Sequence, residues 1–203
     1  MRETVPISRP KQLVVEGQDA MVFFEALLKE MGLSEIQLQD FGGVDELRGF
    51  LSALRRQSGF AQIVRSLGVV RDADRDATSA FQSACSALRN SGLSVPNQPE
   101  EFDGRNLRVG ILILPDAKTS GMLETLCLRS VISDPVMQCV NGYLNCMERQ
   151  LSELPKNTEK ARVQAFLASR PEHVPHLGIA AYKGYWPWDD PTFDHIKRFL
   201  SGL

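Results

Sequence analysis

Cysteine is scarce in this sequence of 203 residues, and its spacing excludes the common metal and redox motifs. The four cysteines are Cys85, Cys127, Cys139 and Cys146. No two of them have the C-x-x-C spacing of zinc knuckles and dithiol redox centres. In a chain of this length, we therefore expect four buried thiols in a reducing compartment.

Long apolar runs are also missing. The first twelve residues, MRETVPISRPKQ, lack the apolar stretch of a signal peptide. No run approaches the roughly 20 apolar residues that a membrane-spanning helix needs. These absences predict a soluble cytoplasmic protein that has no membrane partner.

The chain has no strong excess of either charge. Its formal net charge is -2 and its pI is about 6.0, so nothing draws it generally toward polyanions. A nucleic-acid binder of this composition would need a local cluster of Lys and Arg, or metal ions that offset its carboxylates. With 43% hydrophobic residues, the chain can bury the core of one globular domain.

Apolar segments of strand length alternate with helical periodicity over the first half of the chain. This order predicts an α/β fold with a mostly parallel, four-stranded sheet flanked by helices. We assign residues 12–118 to this core and residues 119–203 to a helical extension packed on it. The predicted strands lie near residues 13–15, 36–41, 67–70 and 109–114. The helices predicted in the extension span residues 122–131, 135–151, 158–169 and 192–200. The segments predicted to be irregular are a loosely held N-terminal arm at 1–11, an exposed loop at 91–106 and a wrap at 171–191.

Acidic residues follow three of the four predicted strands. Ligands of open parallel sheets bind at the carboxyl ends of the strands, and hard divalent cations prefer carboxylate oxygens. Asp72 and Asp74 are two residues apart, so on an extended strand end they would point the same way. The acids in question are Glu16 and Asp19 after the first strand, Asp72, Asp74 and Asp76 after the third, and Asp116 after the fourth.

Each acid also has a simpler explanation. Asp76 alone is more typical of a helix N-cap, and Glu16 alone of a solvated turn. Asp72 directly follows an apolar strand and stands beside two further acids, and this crowding is costly unless a cation relieves it. Together the acids favour a metal site.

The ordered motifs resemble the TOPRIM domain. Val14-Val15-Glu16-Gly17, Phe41-Gly42-Gly43 and Val69-Val70-Arg71-Asp72-Ala73-Asp74 match its hhhhEG, Gly-Gly and hhhDxD elements in the expected order. This resemblance covers residues 12 to 116. It implies a TOPRIM-like, Rossmann-like sheet, a fold shared by topoisomerases, primases and the overcoming-lysogenization-defect (OLD) nucleases.

A second stretch resembles a small prokaryotic TOPRIM-related family of unknown function and the OLD-type domains. It comprises Leu114-Pro115-Asp116 and the following Gly121-Met122-Leu123-Glu124. The OLD resemblance implies a further metal ligand, Glu124, and a lysine near the active centre, for which Lys160 is the candidate and Lys183 the reserve. Where many members have an acid four residues after the Glu, this chain has Ala20. Asp19 could take that place, at a different angle.

The resemblance implies a Mg²⁺- or Mn²⁺-dependent nuclease that hydrolyses phosphodiester bonds by a two-metal mechanism. It implies DNA or RNA as partner and a separate ATPase subunit as a further one. This short chain has no room for the extra domains of topoisomerases and primases. The implied catalytic residues are Glu16, Asp72, Asp74 and Lys160, and the implied metal ligands are Glu16, Asp72, Asp74, Glu124, Asp19 and Asp76.

Two other functions stay open. One is a non-catalytic binding module or scaffold that keeps the fold and the metal site. The other is a phosphatase, because the sequence from Val69 to Asp74 also resembles the haloacid-dehalogenase motif. That family, however, places the motif on its first strand, whereas two β-α units precede it here.

Three further features have alternative explanations. A phosphate-contacting stripe could form from Arg55, Arg56, Arg65, Arg71 and Arg75. Arg55 and Arg56 are more typical of the solvated face of a helix, and Arg71 and Arg75 could instead be internal counter-charges to the acids. We expect His173 and His176 to be surface residues rather than zinc ligands, and the cluster from Tyr185 to Trp188 to cover a core rather than stack on bases. The helical second half could supply the face of a homodimer.

Overall fold

The computed structural model describes residues 5–203, which form an α/β fold with five strands, nine α-helices and two short 3-10 helices in this range. The strands are β1 (Lys11–Val15), β2 (Ile36–Asp40), β3 (Ser66–Asp72), β4 (Phe102–Asp103) and β5 (Arg108–Leu114). The helices are α1 (Gly17–Glu30), α2 (Leu47–Arg56), α3 (Phe60–Ile63), α4 (Ala77–Asn90), α5 (Leu123–Ser130), α6 (Val136–Gln150), α7 (Thr158–Ala168), α8 (Leu177–Tyr182) and α9 (Asp194–Gly202).

The sheet has the strand order β2-β1-β3-β5-β4. The four longer strands are parallel, as predicted, and β4 is antiparallel to β5. The sequence prediction missed this fifth strand because β4 has two residues inside a segment rich in loop-forming residues. Phe102 anchors β4, since its ring stacks on Phe199 with 4.9 Å between the ring centroids.

The two faces of the sheet are covered by different helices. Along β3, Leu67 and Val69 belong to a core cluster with α2, α3 and α4, whereas Val70 belongs to the cluster of the opposite face. That second cluster contains α1 together with the helices that follow residue 119. Continuous apolar strands are expected in a sheet covered on both faces.

The helices of the extension begin and end within two residues of their predicted bounds. The irregular wrap predicted at 171–191 is wrong in one part, because it contains α8. The aromatic cluster within it covers the core, as expected. Trp186 is fully buried, stacks on Phe166 and donates from Nε1 to the Leu177 carbonyl at 3.0 Å.

The N-terminal segment is held more firmly than its composition suggested. The amides of Val5 and Ser8 donate to the side chains of Gln39 (3.0 Å) and Gln37 (2.9 Å). Both glutamines are buried on the edge strand β2, and their amide groups need partners there. The loosely held arm is thus wrong for residues 5–11, and residues 1–4 lie outside the described range.

Two of the four cysteines are not buried. Cys85 and Cys127 lie in the cores of the two faces, whereas Cys139 and Cys146 are exposed. Helix α6 buries one stripe of side chains at helical spacing, which is Met137, Val140 and Leu144. Cys139 and Cys146 lie seven residues apart on another face of this helix, so the prediction of four buried thiols is wrong for this pair.

Among the described residues, no helix is both long enough and apolar enough to span a bilayer.

Candidate functional site

The carboxyl ends of the neighbouring strands β1 and β3 lie side by side, and the connections that follow them run over opposite faces of the sheet. From β1 the chain passes through α1 on one face to β2, and from β3 it passes through α4 on the other face to β5. Neighbouring strands whose connections leave to opposite faces open a crevice between them, and this is where ligands of such sheets bind. Glu16 follows β1 and Asp72 ends β3, so both border this crevice.

Glu16 stands at a tight turn between β1 and α1. Gly17 has φ +85°, a left-handed conformation that glycine adopts without strain. The Gly17 amide donates to Asp40 Oδ1 at 2.9 Å, and the Gly42 amide donates to the same oxygen at 2.7 Å. Asp40 thereby connects the Glu16-Gly17 turn with the turn at Phe41-Gly42-Gly43. Asp40 was not identified from the sequence. Its position at the end of β2, just before Phe41-Gly42-Gly43, could have indicated it.

Asp72 is the most perturbed acid of the site. Burial and the negative charges of Glu16, Glu124 and Asp74 raise its pKa to about 8. The backbone amide of Leu123, the first residue of α5, donates to Asp72 Oδ1 at 3.0 Å and partly opposes this effect. The site thus gathers more negative charge than its surroundings compensate.

Asp74 does not continue the strand alternation assumed from the sequence. Its backbone has φ +51° and pairs with Gly121 through two hydrogen bonds of 2.8 Å. Asp72 therefore lines the cavity on the α1 face, whereas Asp74 lines a neighbouring cavity with Arg71 and Asp76. The two carboxylates remain close enough for the charge of Asp74 to raise the pKa of both Asp72 and Glu16.

Arg71 is an internal counter-charge, one of the two roles considered for it. Its side chain is 3% exposed, and its Nε lies 3.2 Å from Glu16 Oε2. The two groups are in ion-pair contact without hydrogen-bond alignment, and Arg71 Nη1 has no hydrogen-bond partner among the described residues. Burial raises the pKa of Glu16 above its ordinary value, while the charge of Arg71 lowers it.

Glu124 and Lys160 line the same cavity as Asp72, although both are far from β3 in the sequence. This cavity of about 490 Å³ is lined by Asp72, Glu124 and Lys160 among others. Lys160 Nζ is 3.7 Å from Glu124 Oε1, and the lysine side chain is 63% exposed, whereas Glu124 is largely buried. The structure thus places both residues at the cavity that Asp72 lines. The reserve candidate, Lys183, lies elsewhere and pairs with Glu172 at 2.7 Å.

The remaining acids have structural partners. Asp76 is the N-cap of α4, where its side chain accepts from the amides of Thr78 and Ser79. The hydroxyl of Ser79 adds a further bond, and these bonds lower the pKa of Asp76. Burial alone would raise the pKa of Asp116, but a 2.6 Å ion pair with Arg129 and hydrogen bonds of its own loop lower it.

Asp19 and His176 face each other at the cavity rim. His176 Nδ1 lies 3.6 Å from Asp19 Oδ1, and both side chains are more than half exposed. His176 is a surface residue, as expected, yet it lines the same cavity as Asp72. His173 is exposed as well, and it is not among the residues that line this cavity.

A family model described as "Protein of unknown function (DUF3226)" matches residues 10–203. The chain belongs to this family. Neither the curated proteins nor the solved structures compared with the chain gave a match.

In this family member, the arginines do not form a continuous stripe. Arg65 precedes β3 and Arg71 lies near its end, so about 20 Å of strand separates them. Arg55 donates to the carbonyl of Ser91, on the side of the sheet covered by α2 and α4. Of the five arginines, only Arg71 and Arg75 lie near the acids.

The acidic side chains of the site form an open set of oxygen donors rather than a closed cluster. Within residues 5–203, no three Asp, Glu, His or Cys side chains are grouped closely enough to hold an ion between them. Glu16 is turned toward Arg71, and Glu124 toward Lys160. Mg²⁺ commonly binds through one or two carboxylates and completes its shell with water and substrate phosphate. The carboxylates suit such an open site and do not form an all-protein cage.

Proposed function

We propose that this chain is a Mg²⁺- or Mn²⁺-dependent nuclease whose active site is the acidic cavity beside Asp72. One observation carries the proposal. Asp72 is largely buried at the strand-end crevice, and this burial together with the carboxylates around it raises its pKa to about 8. A divalent cation is the ligand that would relieve such crowding, and perturbed acids in a cleft are typical of functional sites.

The TOPRIM resemblance supports the same proposal. Its Glu-Gly motif follows β1, its Gly-Gly motif follows β2 and its Asp-x-Asp motif ends β3 of the parallel sheet. The downstream Glu124 and Lys160, which the resemblance implied, lie at the same cavity as Asp72. We therefore propose a TOPRIM-like site, with nucleic acid as the substrate.

The proposed role of each residue follows from its position in the cavity. Asp72 and Glu124 would hold the cation, with Glu16 beside them. Bound there, the cation would polarise the scissile phosphate and activate a water molecule. Lys160 lies at the open side of the cavity and would stabilise the negative charge that develops on the phosphate. Glu16 would accept or donate a proton in the reaction, and burial raises its pKa above that of an ordinary carboxyl group.

The proposal is tested by incubating the protein with labelled DNA and RNA in Mg²⁺ or Mn²⁺. Asp72→Asn removes the carboxyl group that would bind the cation and retains an oxygen that can accept from the Leu123 amide, so we expect cleavage to fall at least about a hundredfold. Asp76→Asn is the matched control, because asparagine keeps the N-cap and its charge change lies outside the cavity. Cleavage that persists unchanged in Asp72→Asn would contradict the assignment.

The same assays distinguish the two other functions. Rapid turnover of a small chromogenic phosphate monoester, without cleavage of nucleic acid, would favour the phosphatase. Binding of the metal and of nucleic acid without turnover of either substrate would favour the scaffold. Homodimerisation, a separate ATPase subunit and a cytoplasmic location stay predictions.

A further inference from the structure

The acidic cavity has a charged rim on its solvent side, built by the helical extension. Asp72 and Glu124 lie on its inner side, whereas Lys160 on α7 and His176 just before α8 lie at its edge. Lys160 is 63% exposed and His176 60% exposed, so solvent reaches both side chains. A phosphodiester that approaches a cation beside Asp72 would come close to these two nitrogen-bearing groups, because both line the same cavity.

The position of His176 is fixed by close packing of the backbone around it. A Cβ atom on Gly178 would lie 2.6 Å from Val22 Cβ and 2.8 Å from the Asp19 carbonyl oxygen, so α8 meets α1 at a contact that only glycine allows. The carbonyl of Pro175, directly before His176, accepts from Gln164 on α7 at 3.0 Å. The residue is therefore held at the rim from both sides.

The orientation of the imidazole leaves one nitrogen for a ligand. Nδ1 faces Asp19 Oδ1 at 3.6 Å, a carboxylate on the first turn of α1. The His176 side chain is 60% exposed, so solvent reaches the ring on the side away from Asp19. At this distance the carboxylate attracts a protonated imidazole without a hydrogen bond, and the Nε2–H of a protonated ring can donate to a phosphate oxygen.

We propose that His176, oriented by Asp19, binds a phosphate of the nucleic-acid substrate at the rim of the cavity together with Lys160. This inference rests on the proposed function. It gives Asp19 the role of positioning His176 in place of the metal-ligand role that the TOPRIM resemblance implied. It also makes the helical extension part of the substrate-binding surface.

The test uses NMR of the imidazole Cε1–Hε1 groups in the full-length protein. The chain has three histidines, so variants of His173 and His176 assign every signal. Phosphorothioate-linked DNA and RNA hexanucleotides, which resist hydrolysis, are titrated in the presence of Ca²⁺. We expect the His176 signal to shift on binding and the His173 signal to remain in place.

Affinity provides the second readout. His176→Ala should weaken hexanucleotide binding about tenfold, the cost of one hydrogen bond to a charged group. His173→Ala, three residues away and also exposed, should bind like the wild type. Asp19→Asn should weaken binding in the wild type and have no further effect in His176→Ala, because it acts through the imidazole.

The outcomes separate this inference from the function on which it rests. Hexanucleotide binding without a shift of the His176 signal, or with unchanged affinity in His176→Ala, would overturn the role of His176 and leave the nuclease proposal intact. Failure of the wild type to bind either hexanucleotide would contradict both.

Discussion

At the scale of single residues, the ionisation of Asp72 links the site to the stability of the fold. Its pKa is about 8 in the folded protein, against an ordinary value of 3.8. The folded chain therefore keeps a proton that the unfolded chain releases above about pH 4. The stability from this group is fully present below that pH and is lost as the pH rises toward 8, by at most about 1.4 kcal/mol per pH unit.

Asp72→Asn should remove this dependence, because asparagine does not ionise. The free energy of unfolding of the variant should rise relative to that of the wild type as the pH increases from 5 to 8. Urea unfolding at several pH values measures the difference. Mg²⁺ should stabilise the wild type at pH 8 and leave the variant unchanged. Parallel pH curves for the two proteins would contradict the raised pKa of Asp72.

Arg71 is the second residue whose charge affects stability. Arg71→Met should destabilise the fold by about 3 kcal/mol, because it leaves Glu16 buried without its counter-charge. Adding Glu16→Gln should recover part of that loss. The double-mutant cycle by urea unfolding measures the coupling of the pair. Additive effects of the two substitutions on the free energy of unfolding would show that the contact between Arg71 and Glu16 does not contribute to stability.

Sequence reasoning reached some residues of the site and not others. Glu16 and Asp72 were predictable, because strand-end acids follow from the apolar pattern alone. The resemblance supplied Glu124 and Lys160, which local spacing does not connect to β3. Asp74 departed from strand alternation because its own backbone is left-handed, with φ +51°. His176 reached the cavity only through the packing of α8 on α1, which no local pattern encodes.

At the scale of elements, the close contact of α8 with α1 requires a glycine at position 178. Gly178→Ala should cost about 1–3 kcal/mol, because its Cβ would lie under 3 Å from Val22 and from the Asp19 backbone. Gly142→Ala on α6 is the matched control, since nothing lies within 4 Å of its added Cβ. That substitution should stabilise the helix by about 0.5–1 kcal/mol. Equal thermal stabilities of the two variants would contradict the close approach.

Elements were predictable where they are long and capped. The predicted starts of α6 and α7 lie within one residue of the observed ones, near Asp134 and Asn157. Helix α8 and strand β4 were missed because they have six and two residues. Periodicity cannot identify segments that short, and their stability comes from tertiary contacts.

At the scale of the whole molecule, the extension and the sheet share one core. The cluster on the α1 face contains Leu13 of β1, Phe23 of α1 and Phe199 of α9. The carbonyl of Leu203 also accepts from the Ser66 hydroxyl on β3 at 2.9 Å. These contacts join residues 119–203 to the predicted core at 12–118.

We therefore predict a single cooperative unfolding transition. Both tryptophans, Trp186 and Trp188, lie in the extension, so their fluorescence reports on that region, whereas circular dichroism reports on every helix. The two urea transitions should coincide if sheet and extension unfold together. A fluorescence transition at lower urea would show that the extension unfolds separately.

The most direct test of the central claim is an anomalous-scattering map of crystals soaked in Mn²⁺ at pH 8. We expect a peak inside the cavity, within about 2.0–2.6 Å of a carboxylate oxygen of Asp72. Glu16 or Glu124 should supply a further oxygen ligand. A map at saturating Mn²⁺ with no peak in the cavity, or with peaks only at exposed acids such as Asp76, would contradict the assignment of this cavity as a metal site.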